Sequence, residues 1–179
     1  MNKISEINIM NEDKFWEIIS KCKADILEKQ KLNLSQYLEK LTEEDLLWFI
    51  MKIHILIVSS YNEKLWWAGQ IIHWYCSDDK FSDFRKWIIA QGKEIYENAL
   101  KNPDSLANLE GKNLKYCFEE FDYIPNDIFK KKTGKDCYWY LTDFFYKSQE
   151  PRIKLSWSND NQKEILQKMH PNLFKKFQD

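Results

Sequence analysis

The chain has 179 residues, a length typical of one domain, and its 27 basic and 28 acidic side chains leave a net charge of −1. This balance disfavours a nucleic-acid-binding protein, which needs a basic excess or a basic stripe to meet the phosphates. Only four glycines and four prolines occur in the chain, and so few turn-forming residues indicate long helices. We therefore predict a single compact all-α domain with many helices.

The spacing of apolar residues predicts four helices in the first part of the chain. The first helix is predicted to begin at Asn11, and a shorter one is predicted over residues 35–41. Thr42 and Asp45 form a capping-box pattern that opens the most apolar helix of the chain. Asn62 begins the next helix, which is apolar on nearly every side and is therefore expected to be central.

A long helix is predicted over residues 79–101, with an apolar stripe that includes Phe84 and Ile88. Gly92 lies on this stripe, where a glycine costs about 1 kcal/mol relative to alanine. The expected reason is close packing of another helix or an aromatic ring against Gly92. Gly69, in the preceding helix, is expected to allow a close approach of the same kind.

The C-terminal part of the chain is also predicted to be largely helical. Two short helices are expected on either side of Pro125, and Gly134 should cap the end of the second one. Residues 137–145 are rich in aromatic side chains and are ambiguous between helix and strand, so the pattern leaves open a short β element there. A capped helix over residues 158–169 should end at Pro171.

Ser77, Asp78 and Asp79 lie between two predicted helices. Short polar side chains at such a break accept hydrogen bonds from the free N–H groups that begin the following helix. We expect at least one of the two aspartates to be a helix cap. The alternative is that both carboxylates belong to a binding site.

Arg85 is spaced so that its helical neighbours are apolar, and it should therefore lie on the buried stripe. A buried guanidinium needs a partner, because an unpaired buried charge costs several kcal/mol. A structural ion pair is the favoured interpretation, and the alternative is a carboxylate of a ligand or partner clamped by Arg85. The candidate partners within the chain are Asp78, Glu119, Glu120 and Asp122.

Five aromatic residues crowd the same region: Trp66, Trp67, Trp74, Tyr75 and Trp87. Core packing explains most of them, but a domain of this size cannot cover every ring, and an exposed tryptophan suits an interaction surface. His73 is interpreted as a core histidine rather than a proton carrier, because the sequence shows no partner for it.

The known catalytic and metal-binding motifs are absent from the sequence. The four glycines are isolated, which excludes glycine-rich phosphate loops and the GxSxG nucleophile elbow. The three histidines lack metal-ligand spacing, and no two of the four cysteines form a CxxC pair. The N-terminus has no secretory signal pattern, and the longest apolar run is too short to span a bilayer. We therefore expect free thiols, no metal, no cofactor and a cytoplasmic location.

A string of short motifs lies between residues 65 and 109, and it consists of Leu65, Trp66, Ala68, residues 76–79, Phe81, Phe84, Arg85, Trp87, Gln91, Gly92 and residues 103–106. This string resembles the signature of a widespread family of uncharacterised bacterial domains. The likeness covers roughly residues 11–125, and the remainder, residues 126–179, is expected to be a helical extension of one domain. The resemblance implies a small cytoplasmic domain, and such domains often neutralise toxins or act as regulatory partners.

These observations favour a non-catalytic protein-binding module, immunity-like or regulatory, whose partner is another protein rather than a membrane or a nucleic acid. The alternative is an enzyme or small-ligand binder with a pocket around His73, Asp78, Asp79 and Arg85. The candidate binding residues are Trp66, Trp67, His73, Asp78, Asp79 and Arg85.

Overall fold

The computed structural model describes residues 12–110, 115–153 and 162–178, and in these ranges the chain forms ten α-helices, two short 3-10 helices and no strand. The predicted all-α class is confirmed. No helix in the described ranges is both long and apolar enough to cross a membrane. The α-helices are α1 (Glu12–Cys22), α2 (Leu27–Leu38), α3 (Glu43–Ser59), α4 (Glu63–His73), α5 (Asp78–Ala90), α6 (Lys93–Lys101), α7 (Tyr123–Thr133), α8 (Tyr138–Lys147), α9 (Gln162–Met169) and α10 (Pro171–Phe177). The 3-10 helices are Pro103–Asn108 and Glu119–Phe121.

Helices α3 and α4 form the centre of the core, as their apolar sequences predict. The hydroxyl oxygen of Thr42 accepts a hydrogen bond of 3.1 Å from the N–H of Asp45 and begins α3. The amide oxygen of Asn62 accepts one of 3.0 Å from the N–H of Leu65 and begins α4. Helix α3 packs against α5, α7 and α8, and α4 packs against α5, α9 and α10. The buried side chains of α3 are those of Leu46, Leu47, Trp48, Phe49, Ile50, Ile53, Leu56 and Ile57.

The predicted helix over residues 79–101 is wrong in one respect, because two helices, α5 and α6, occupy this range. Gly92 separates them with a φ of +103°, a conformation that glycine adopts more readily than other residues. Apart from Gly92 itself and the two residues next to it in the chain, no atom of the described residues lies within 4 Å of the position that a Cβ at Gly92 would take. The expectation of close packing there is therefore wrong, and backbone conformation explains this glycine.

Gly69 on α4 does allow the close approach that was expected. A Cβ at this position would lie 3.1 Å from Cys76 Sγ and 3.2 Å from Phe84 Cδ1. Helices α4 and α5 approach each other here, with the ring of Phe84 against the backbone of α4. This contact fixes the start of α5 relative to the end of α4, and the candidate site lies at this junction.

Several boundaries differ from the predicted ones. Helix α2 spans Leu27–Leu38 instead of residues 35–41, and Pro171 begins α10 as well as ending the preceding helix. Gly134 caps α7 with a φ of +69°, as expected. Asn11 and residues 158–161, which were expected to begin helices, lie outside the described residues.

Residues 137–145, which the sequence left ambiguous between helix and strand, are helical: they lie in and immediately before helix α8, and the possible β element is not formed. Aromatic residues favour strands when they alternate across a sheet, but here Leu141 and Phe145 share one helical face. The Phe145 ring packs at 4.8 Å from that of His54 on α3, and Leu141 is fully buried. Tertiary packing on α3 therefore decides the conformation against the local preference.

Candidate functional site

The junction between α4 and α5 exposes two aromatic side chains. Trp74 ends α4 in the left-handed conformation, with a φ of +64°, and 68% of its surface is exposed. Tyr75 is 67% exposed. Gln70 holds the turn, since its side-chain amide donates to the Trp74 carbonyl at 3.2 Å and accepts from the N–H of Cys76 at 3.0 Å.

The aspartates beside these rings are not the helix cap. Ser77 is the cap of α5, and its hydroxyl oxygen accepts a hydrogen bond of 3.3 Å from the N–H of Lys80. The prediction that an aspartate caps this helix is therefore wrong. Asp78 and Asp79 occupy its first turn, where the helix dipole favours negative charge. Both carboxylates are exposed, and neither forms an ion pair with a residue in the described ranges.

Trp66 and Trp67, which were also candidate binding residues, lie largely inside the protein. Trp67 is 1% exposed. Trp66 is partly buried, and its ring centroid lies 4.7 Å from that of Phe81. The exposed aromatic rings of this region are consequently those of Trp74 and Tyr75.

Arg85 lies on the buried stripe of α5, as predicted, and only 2% of it is exposed. Its Nη1 donates to the Ile57 carbonyl at 2.9 Å and to Glu150 Oε1 at 2.6 Å, and its Nε donates to the Phe81 carbonyl at 3.3 Å. The Cζ atom lies 4.7 Å from the ring centroid of Tyr61 and 4.5 Å from that of Phe81. Burial lowers the pKa of the guanidinium, and the Glu150 carboxylate opposes that shift.

Arg85 forms an ion pair with Glu150 and not with any of the expected carboxylates. Glu120 pairs with Lys31 at 2.7 Å, and Asp122 pairs with Lys86 at 2.8 Å. Glu150 is 65 residues away from Arg85 in the chain. No spacing rule connects two positions so far apart, which explains why the sequence did not indicate this partner.

His73 is half-buried at the end of α4. Its Nε2 lies 3.2 Å from the Tyr116 carbonyl oxygen, and its ring meets the edge of Phe84. Burial lowers the pKa of this imidazole below its ordinary value. These contacts fit the interpretation of a core histidine.

Residues 10–131 match a family model with the description "Protein of unknown function (DUF4240)". The chain belongs to the DUF4240 family. No curated protein and no solved structure gave a match. The matched range contains Trp74, Tyr75, Asp78 and Arg85, whereas Glu150 lies beyond it.

The buried cysteines of this DUF4240 protein are poorly suited to nucleophilic chemistry. Burial raises the pKa of the thiols of Cys76 and Cys137 to about 12 and that of Cys22 to about 11, so their thiolate forms are scarce at neutral pH. In the part of the chain that the structure describes, no three His, Cys, Asp or Glu residues are grouped to hold a metal ion.

Helix α8 adds an exposed aromatic surface outside the DUF4240 match, which was not among the binding residues predicted from the sequence. Trp139 is 83% exposed, and Tyr138 and Tyr146 are exposed as well. The signal was the high aromatic content of α8, in which Leu141 is the one buried residue. An open groove of about 700 Å³ runs beside this helix, lined by Lys130, Gly134, Lys135, Asp136, Trp139 and Tyr140.

Proposed function

We propose that this DUF4240 protein is a non-catalytic, cytoplasmic binding protein that recognises a basic surface on a partner protein. The recognition surface consists of Trp74, Tyr75, Asp78 and Asp79 at the junction of α4 and α5. An immunity-like or regulatory role fits such a surface, by analogy with other small domains.

The conformation of Trp74 is the observation that carries this proposal. A left-handed backbone costs a residue with a Cβ roughly 1–2 kcal/mol, and a ring that is 68% exposed regains little of that cost through burial. Strain of this kind persists where the surrounding structure enforces it, and it is concentrated at functional positions. The left-handed backbone leaves the Trp74 ring exposed, and a partner protein could bury this ring in the interface.

The carboxylates of Asp78 and Asp79 favour a partner with a basic surface. Asp78 and Asp79 are exposed and follow the two exposed aromatic residues closely in the chain, so a partner with lysine or arginine side chains around an apolar patch would match both features. Complementary charges increase the association rate and exclude acidic partners. Exposed tryptophan and tyrosine side chains are enriched among the residues that dominate the binding energy of protein interfaces.

Site-specific photo-crosslinking in the native host cells tests where a partner binds. A crosslinking amino acid at position 75 should capture a discrete protein, and the same amino acid at position 146, an exposed tyrosine position on α8, should not capture it. Capture at position 146 but not at position 75 would contradict the proposed surface.

Binding measurements with the purified partner then test whether the aromatic ring and the carboxylates contribute to the affinity. Trp74→Ala should weaken the affinity at least about tenfold, and Asp78→Asn with Asp79→Asn should slow association and reduce its dependence on salt. Trp139→Ala, which removes another exposed tryptophan, is the matched control and should leave the affinity unchanged. Equal affinities for Trp74→Ala and the wild type would reject the proposal.

A further inference from the structure

The Arg85 guanidinium is held in place by groups that all lie within the matched DUF4240 range. The carbonyls of Ile57 and Phe81 each accept a hydrogen bond from it. The rings of Tyr61 and Phe81 lie against it on two sides, with their centroids 5.5 Å apart and an angle of 62° between their planes. Two carbonyls and two rings of the matched range thus contact the cation in addition to the carboxylate.

Glu150 supplies the negative charge from outside the matched range. Its side chain is 41% exposed although its partner is 2% exposed. It lies after the end of α8, in a stretch without helix or strand. Among the described residues, no backbone hydrogen bond holds residues 149–153 to the rest of the protein. A buried cation is thus neutralised by a partly exposed carboxylate from a stretch for which the described residues show no backbone hydrogen bond.

A buried guanidinium without a counter-charge is strongly unfavourable. In this protein the buried Arg85 guanidinium therefore needs an anion beside it. The geometry selects the anion, since a carboxylate accepts short, charge-assisted hydrogen bonds from a guanidinium, as Glu150 does at 2.6 Å.

We propose that Arg85 forms a carboxylate-binding site that Glu150 occupies within the same chain, and that the carboxylate of a ligand takes the place of Glu150 when residues 149–153 move away. This site is separate from the proposed recognition surface, because it is built on the cationic guanidinium of Arg85 and not on the carboxylates of Asp78 and Asp79. The ligand carboxylate can come from a small carboxylic acid or from an acidic side chain of a polypeptide.

Chemical rescue of Glu150→Ala tests whether the site accepts a free carboxylate. Acetate should raise the thermal midpoint of this variant in a saturable manner, and chloride at the same ionic strength should not. The NMR signal of the Arg85 Nε–H should shift over the same range of acetate concentrations. Glu150→Gln, which keeps the side-chain volume, provides a second variant in which acetate should have a smaller effect.

Two controls separate a specific site from a general effect of anions. Glu39→Ala removes an exposed carboxylate from a surface ion pair with Lys131, at 3.4 Å, and should gain nothing from acetate. Arg85→Met combined with Glu150→Ala removes the cation and should abolish the rescue. An equal response to acetate in Glu39→Ala and Glu150→Ala would overturn the proposal.

The wild-type protein tests the displacement step. Its Arg85 Nε–H signal should shift in the same direction, but at acetate concentrations at least about tenfold higher, because Glu150 competes for the site. A blocked Gly-Glu-Gly tripeptide, compared with acetate, distinguishes an acidic side chain from a small acid as the source of the carboxylate. No shift in Glu150→Ala at saturating acetate or tripeptide would show that the pair is a structural ion pair only.

Discussion

Asp104 and Leu173 are joined by a hydrogen bond of 2.8 Å in which the backbone N–H of Leu173 donates to the buried Asp104 carboxylate. The same carboxylate accepts hydrogen bonds from the backbone N–H of Asn172 at 3.3 Å and from its side-chain amide at 2.7 Å. Asp104 lies within the DUF4240 match, whereas helix α10 lies beyond it. Like Arg85, this charged residue of the matched range forms hydrogen bonds with the C-terminal part of the chain.

Removal of the Asp104 carboxylate should therefore weaken the attachment of α10. Asp104→Ala leaves two N–H groups at the start of that helix without an acceptor, and we expect a loss of about 2 kcal/mol in the free energy of unfolding. Urea denaturation measures this loss. Glu97→Ala, which removes an exposed carboxylate on α6, is the control and should change the stability little. A similar effect of both variants would contradict the capping role of Asp104.

The cap of α5 should be measurable in the same way. Ser77→Ala removes the side-chain acceptor of the Lys80 N–H, and we expect it to cost about 1 kcal/mol, the usual value for a helix cap. Asp79→Ala should cost less, because this exposed carboxylate lies in the first turn near the positive end of the helix dipole and forms no ion pair with another described residue. The order of the two urea midpoints is the decisive result, and a larger loss for Asp79→Ala would contradict the assignment.

The features that depend on local sequence were predictable, and those that depend on distant packing were not. Burial of Arg85 followed from the apolar neighbours at helical spacing, and the capping residues Thr42 and Asn62 followed from their polar side chains before apolar runs. The partner of Arg85 could not be predicted, because Glu150 is brought to it by the fold. Gly92 was expected to lie inside a helix, because its position continues the helical spacing of the apolar residues around it. In the structure it has a positive φ and separates α5 from α6.

His170 should make the stability of the protein dependent on pH. It is buried, its Nε2 donates to the Lys64 carbonyl at 2.8 Å, and its Nδ1 has no hydrogen-bond partner among the described residues. Burial lowers the pKa of this imidazole below its ordinary value, as it does for His73. As the pH falls below about 6.5, the unfolded chain takes up protons that the folded chain does not, so the free energy of unfolding should fall.

Denaturation between about pH 5 and pH 7 checks this dependence. His170→Gln keeps an N–H donor for the Lys64 carbonyl but does not titrate, so the stability of this variant should decline less steeply on acidification than that of the wild type. His73→Gln should reduce the slope further when the two changes are combined. A slope unchanged by His170→Gln would show that other groups carry the pH dependence.

Substitution of Trp74 by glycine separates the strain at this position from its use in binding. Glycine adopts the left-handed conformation freely, which removes a penalty of roughly 1–2 kcal/mol. Its greater freedom in the unfolded chain costs about 0.5–1 kcal/mol, and little packing is lost because the ring is mostly exposed. We therefore expect Trp74→Gly to be as stable as the wild type or up to about 1 kcal/mol more stable.

Trp74→Ala is the matched control, because alanine also removes the ring but keeps the strained backbone. It should be less stable than Trp74→Gly in urea denaturation. Both variants should lose affinity for the partner to the same extent, since each lacks the exposed ring. If Trp74→Gly is clearly less stable than Trp74→Ala, the left-handed conformation is not a source of strain. If the glycine variant binds the partner as tightly as the wild type does, the exposed ring of Trp74 does not take part in recognition.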